Sequence, residues 1–153
     1  MTFDETDLLI LRSLMTDGRK AWAELASELK LSPPATADRV RRLEQNGVIR
    51  KYQAVVDPQS VGCELTAFVA VTLERPQYRD RFLKKIQKLP AIQECHHVAG
   101  DDDYLLKVRC LNTKELDRII SIEIKSLDGI ARTRTTIVMD TVKETAELPV
   151  RNS

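Results

Sequence analysis

Apolar residues recur at helical spacing in three short stretches, and then the period switches to the alternation of strands. The first stretch carries Leu8, Leu11 and Leu14 with Ile10 and Met15. Asp4 stands where an N-cap belongs, Asp7 falls at the third helical position, and Phe3 is placed to staple against Leu8. Asp17-Gly18 ends it. A second helix is expected over about Ala21 to Leu29, with Trp22, Leu25, Ala26 and Leu29 inward, although Ala21 occupies the position a capping Ser or Thr would fill. The third begins at Ser32, has Pro33 pre-set for a first turn, and closes at Gly47. Helix, tight turn and helix form a unit suited to laying one helix in the major groove of DNA.

From Val48 the pattern is extended. Ile49 to Asp57 reads as a strand that Pro58 ends, a connector between two domains. Beyond it, strands are expected at Ala67–Leu73, Ile92–Ala99, Tyr104–Leu111 and Ile130–Met139. Helices are expected at Gln77–Lys88, with Phe82, Ile86 and Leu89 inward, and from Thr113 as cap through Leu116, Ile119, Ile120 and Ile124. The βαββαβ order specifies a ferredoxin-like sheet with both helices on one face. The expected fold class is therefore α+β. Residues 1–48 form a helix-turn-helix (winged-helix-like) three-helix domain and 49–60 an extended linker strand. Residues 61–143 form the βαββαβ domain, and 144–153 a polar tail. The bare sheet face needs a cover, and a second copy is the simplest one.

At 153 residues, 42% hydrophobic and 31% charged, the chain is globular in composition. It has no apolar run of membrane-spanning length, and MTFDETD is too acidic for a signal peptide, so a cytoplasmic address with no membrane partner is expected. Cys63, Cys95 and Cys110 lack metal or redox spacing and read as small, mostly buried hydrophobes. Cys95-His96-His97 puts only Cys95 and His97 on one strand face, so no metal site is expected there. There is no phosphate loop, nucleophile elbow or histidine–carboxylate pair at motif spacing, so neither an enzyme nor a cofactor is expected.

A net charge of +1 does not mark a nucleic-acid binder, but its distribution is uneven. Lys30, Arg39, Arg41, Arg42, Arg50 and Lys51 face only Asp38 and Glu44 within the same stretch. On a helical wheel Thr36, Val40 and Leu43 share the packing face. Pro34, Asp38, Arg41 and Gln45 lie opposite, with Ala37 and Arg42 on the flanks. The candidate contacts to double-stranded DNA are Ser32, Pro34, Ala37, Asp38, Arg39, Arg41 and Arg42. Arg41 and Arg42 can take phosphates or a guanine edge, and Ser32 can hold a phosphate through its hydroxyl and the N–H groups of the helix start. Arg39, between the two faces, can either orient the helix or reach a phosphate. Pro34, Ala35 and Ala37 read few base edges, so specificity should lean on DNA shape and bending.

Five segments, FDETDLLIL, DGR, ELASELKLS, RVRRLEQNGVI and GDDDYLLKVR, stand in an order and spacing that resemble the Lrp/AsnC family of bacterial and archaeal regulators from about Phe3 to Lys143. The resemblance implies a prokaryotic, nucleoid-associated transcription regulator. It implies a homodimer, often built up to an octamer, that responds to a small-molecule effector, an amino acid such as leucine. It also implies effector recognition around the turn at Gly100, Asp103 and Tyr104, with Val98, Asp101 and Thr135 as further contacts and Asp102 at a variable position. A plain hairpin turn explains Gly and Asp equally well, except that three adjacent carboxylates repel one another. The alternative function is an amino-acid-sensing interaction module or regulatory subunit that does not bind DNA.

Overall fold

The computed structural model describes residues 3–150. They divide into two units, a head formed by the chain up to Val55 together with the segment from Lys143 onward, and a second unit over Val56–Val142.

The head is built on α1 (Glu5–Thr16), α2 (Trp22–Leu29) and α3 (Pro33–Gln45). Asp4 caps α1 by accepting the Asp7 N–H at 2.8 Å. Ala21 gives α2 no side-chain cap. Ser32 caps α3, and Gly47 closes it in the left-handed region at φ 69°, which lets the Val48 N–H return to the Leu43 carbonyl. Lys30 ends α2 in the same region at φ 55° without a glycine's freedom. Ile10, Leu14, Leu25, Val40 and Leu43 are buried together, with Phe3, Leu11, Leu29, Val48 and Ile49 packed around them. That is a small core, so caps and ion pairs matter to the head's stability.

Three expectations for local structure are corrected. Trp22 is 44% exposed rather than inward, since as the first residue of α2 it stands at the end of the stripe that Leu25 and Ala26 bury. Residues 50–57 join no β-ladder among the described residues, because an alternating pattern forms a strand only beside a partner edge. Val48 and Ile49 instead pack on the head, and the Tyr52 hydroxyl donates to Glu44 at 2.9 Å. Burial first, then that carboxylate, push the Tyr52 phenol up to about 12. The third correction is the cap of the last helix, which is Asn112 and not Thr113. Asn112 accepts the Glu115 N–H at 3.0 Å while Glu115 accepts the Leu111 N–H at 2.8 Å. The C-terminal segment also returns to α1, where Arg12 donates to the Val150 carbonyl at 3.0 Å.

The second unit runs β1 (Leu65–Leu73), α4 (Arg79–Ile86), β2 (Ile92–His97), β3 (Tyr104–Cys110), α5 (Thr113–Arg118) and β4 (Ile130–Ile137). A wider π-helical stretch, Ile119–Ile124, continues α5. The sheet is antiparallel in the order β2-β3-β1-β4, the split arrangement expected of βαββαβ. Ala67, Val69 and Val71 pair with Val108, Leu106 and Tyr104 and bury one sheet face against Phe82, Ile86, Leu116, Ile119 and Ile124. Gly129 lies in the left-handed region at φ 85°, and any Cβ there would overlap the Tyr78 ring. The other sheet face presents Phe68, Ala70, Thr72, Leu105, Arg132 and Arg134 by register.

Candidate DNA-binding helix and effector turn

The wheel drawn for α3 matches its burial. Thr36, Val40 and Leu43 are at most 3% exposed, whereas Pro34, Asp38, Arg41 and Gln45 are exposed and Ala37 is half-buried. Arg41 Nη1 donates to Asp38 Oδ1 at 2.7 Å across one helical turn. Arg39 turns toward α1, where its Nη1 donates to Asp4 Oδ2 at 2.6 Å and to Asp7 Oδ1 at 2.8 Å. Arg42 Nη2 lies 3.6 Å from the same Asp7 oxygen. The Asp7 N–H and then Arg39 hold the Asp4 carboxyl below its ordinary value, and Asp4 and Asp7 hold the Arg39 guanidinium above its own.

The start of α3 offers fewer donors than its position suggests. Pro33 and Pro34 have no N–H, the Ala35 N–H goes to Ser32 Oγ at 3.4 Å, and the Thr36 N–H goes to the Ser32 carbonyl at 3.0 Å. Backbone amides of this first turn are therefore absent or used. A phosphate reaching Ser32 would meet its hydroxyl alone.

In the second unit, Val98, Gly100, Asp101, Asp103 and Tyr104 lie along one turn, closed by the Val98 N–H on the Asp103 carbonyl at 2.9 Å. Asp103 stitches the turn to β1: its N–H reaches the Val71 carbonyl at 3.0 Å and its Oδ2 accepts the Leu73 N–H at 2.7 Å. Tyr104 is 3% exposed, with its ring 4.9 Å from Phe82 and 5.2 Å from His97. Asp101 is exposed, and its carbonyl accepts from Arg132. Thr135 pairs with Val69, so it stands on the helix side of the sheet with β1 between it and β3. The turn residues thus come together, but Thr135 does not join them.

Asp102, at the variable position, is the buried member of the three. It accepts from Thr72 at 2.9 Å, Arg132 at 3.2 Å and Arg134 at 2.7 Å. The Thr72 hydroxyl, then the two guanidiniums, hold its carboxyl below the usual range. This arrangement resolves the three adjacent carboxylates, since two carry structural partners. The alternating Arg132-Thr133-Arg134 pattern, two like charges on one strand face, was the available sequence signal for it.

Cys95 pairs with Leu106, four residues short of Cys110 along β3, and among the described residues no group of three His, Cys, Asp or Glu side chains is placed to hold a metal. Burial pushes the Cys95 and Cys110 thiols up, away from reactivity. His96 contacts Glu94 at 3.0 Å, and His97 lies against Tyr104. No helix among the described residues is long and apolar enough to cross a membrane.

Comparison with known proteins agrees with both halves of this geometry. Residues 3–50 match the model described as winged helix-turn-helix DNA-binding, and residues 66–148 match the Lrp/AsnC ligand binding domain. The leucine-responsive regulatory protein of Escherichia coli strain K12 is 39% identical over 150 residues, covering 97% of this chain and 92% of the relative. A transcriptional regulator of Neisseria meningitidis, solved as its L-methionine complex, superposes with a TM-score of 0.93 at 30% identity, covering 97% of each chain. AsnC of Escherichia coli superposes with a TM-score of 0.90 at 27% identity, covering 96% of this chain and 99% of that one. With a DNA-binding helix-turn-helix and the matching ligand-binding domain on one chain, the protein belongs to the Lrp/AsnC family of transcription regulators.

Proposed function

We propose that this regulator reads duplex DNA through the outward face of α3 and that an amino acid bound at the Val98–Tyr104 turn changes that binding. The observation that carries the first part is the division of α3 itself. Its apolar residues are spent on the head core, and Arg41 stands 62% exposed on the opposite side with Asp38. Arg41 and Arg42 bind phosphate or a guanine edge, the Ser32 hydroxyl takes a phosphate, and Pro34, Ala37 and Asp38 line the groove. Arg39 serves the helix's orientation.

The effector reading rests on the ligand-binding domain match and on the relative solved with L-methionine. A zwitterionic amino acid suits a turn that offers the exposed Asp101 carboxylate to its ammonium and backbone N–H groups to its carboxylate. L-methionine and L-leucine are the first candidates. Val98, Gly100, Asp103 and Tyr104 shape the turn, and Thr135, two strands away, would contribute from another copy or through the sheet. The protein acts as a homodimer that assembles further, toward an octamer. It covers the sheet face of Phe68, Ala70 and Leu105 with a second copy and presents paired α3 helices to a two-fold site. It works in the cytoplasm, as a regulator and not an enzyme.

Fluorescence anisotropy with a labelled duplex across a salt series tests the DNA part. Affinity should fall steeply with salt, and Arg41→Ala with Arg42→Ala should remove binding while the assembly state stays intact. Binding that ignores salt would remove the reading, and a wild-type chain that assembles but binds no duplex would favour the interaction-module alternative.

A further inference from the structure

Each of the three guanidiniums of α3 already faces a carboxylate within the head. Arg41 pairs with Asp38 on its own helix, but Arg39 and Arg42 both turn to Asp7 on α1. Asp7 differs from the other acids here, with a side chain only 8% exposed at the third position of a helix whose start favours negative charge. Its own N–H is fixed by the Asp4 carboxylate, which takes the second contact from Arg39.

Arg39 and Arg42 stand about 60° apart on the α3 wheel, so a single carboxylate reaching both grips one flank of the helix. The packing face of Thr36, Val40 and Leu43 is narrow and small. Such a face resists separation well and rotation about the helix axis poorly, whereas a part-buried charged contact is directional. We propose that Asp7 is a positioning residue for DNA binding. Its carboxylate fixes the rotation of α3 and withholds Arg39 from indiscriminate phosphate contact, so that the Pro34, Asp38, Arg41 and Arg42 side meets the DNA. The α1 start thereby contributes to sequence discrimination from outside the DNA-facing surface. This rests on α3 being the DNA contact.

The test compares the wild-type chain with Asp7→Asn and Asp4→Asn. Asn is as good an N-cap as Asp, so the Asp4 variant keeps the start of α1 while removing one charge from Arg39. The probes are a duplex enriched by the wild type from a randomised pool and a scrambled version of that duplex, each titrated from low to high salt. Each guanidinium released to a phosphate adds roughly 0.9 to the slope of log affinity against log salt. Asp7→Asn should steepen that slope by up to about one, from the loosening of Arg39. The ratio of affinities for the enriched and scrambled duplexes should fall about tenfold. Asp4→Asn should shift both quantities in the same direction by less. A merely structural Asp7 would lower thermal stability and leave slope and ratio alone, which overturns the proposal. If Asp7→Asn does not fold, a wild-type slope and ratio in Asp4→Asn overturn it instead. A wild-type chain that binds neither duplex at any salt would remove the α3 reading itself, whereas salt-dependent wild-type binding with unchanged variants overturns only the role of Asp7.

Discussion

The residues that decide this molecule's behaviour are charged ones whose partners lie far away in sequence. Asp102 is the clearest case, a buried carboxylate gathered by Thr72, Arg132 and Arg134 from about thirty residues on either side. Its folded carboxyl lies below the ordinary value of 3.8, so the stability it contributes is present above that pH and lost as pH falls through the depressed value. Asp102→Asn, which cannot ionise, should therefore lower stability at pH 7 and flatten the acid limb below pH 3.8 in urea titrations. An unchanged acid limb would deny the ion cluster its role. On α3, Arg41→Ala should weaken binding to all duplexes and reduce the salt slope by roughly one if Arg41 contacts a phosphate. If it reads guanine, one position of the enriched site should relax instead. Sequence inspection found the outward arginines because the helical wheel is local. It left Arg39 open and undervalued Asp102, since each is defined by partners on another element and no spacing rule spans that distance.

At the scale of elements, helix ends were the legible part, because caps act within four residues. Asp4, Ser32 and Gly47 punctuate α1 and α3 as their types suggest, and the βαββαβ order follows from alternation and turn residues. What local pattern could not supply was the surroundings. Residues 50–57 alternate like a strand but have no edge to pair with here, and Trp22 shares a stripe with Leu25 yet sits beyond the core's reach. The Pro33-Pro34 pair stood in the sequence, but its consequence was missed: it removes N–H groups on which the phosphate reading of Ser32 relied. Two substitutions test the element account. Lys30→Gly relieves a left-handed residue in the turn before α3 and should stabilise the head by up to about 1 kcal/mol in thermal unfolding. Gly129→Ala forces a Cβ into the Tyr78 ring at a positive φ and should destabilise the second unit by about 2 kcal/mol or more. A neutral Gly129→Ala would mean that the turn before β4 repacks freely.

At the scale of the whole molecule, the head is modest. Its core centres on five buried hydrophobes, its α3 arginines are each shared with a carboxylate, and its outward face starts with a proline and an alanine. Such a head should bind weakly alone, and useful affinity should come from several heads held in register by the second unit. An amino acid that binds that unit can then control DNA occupancy only if it prefers one assembly or head arrangement over another. The most direct test begins by finding, from thermal shifts against the twenty amino acids, the one that raises the melting temperature most. The affinity of the full-length chain for its enriched duplex is then measured with and without saturating amounts of that amino acid. A change of at least about fivefold is expected, the lower end of typical coupling between sites. An amino acid that binds and stabilises the protein but leaves DNA affinity unchanged at every salt concentration would contradict it.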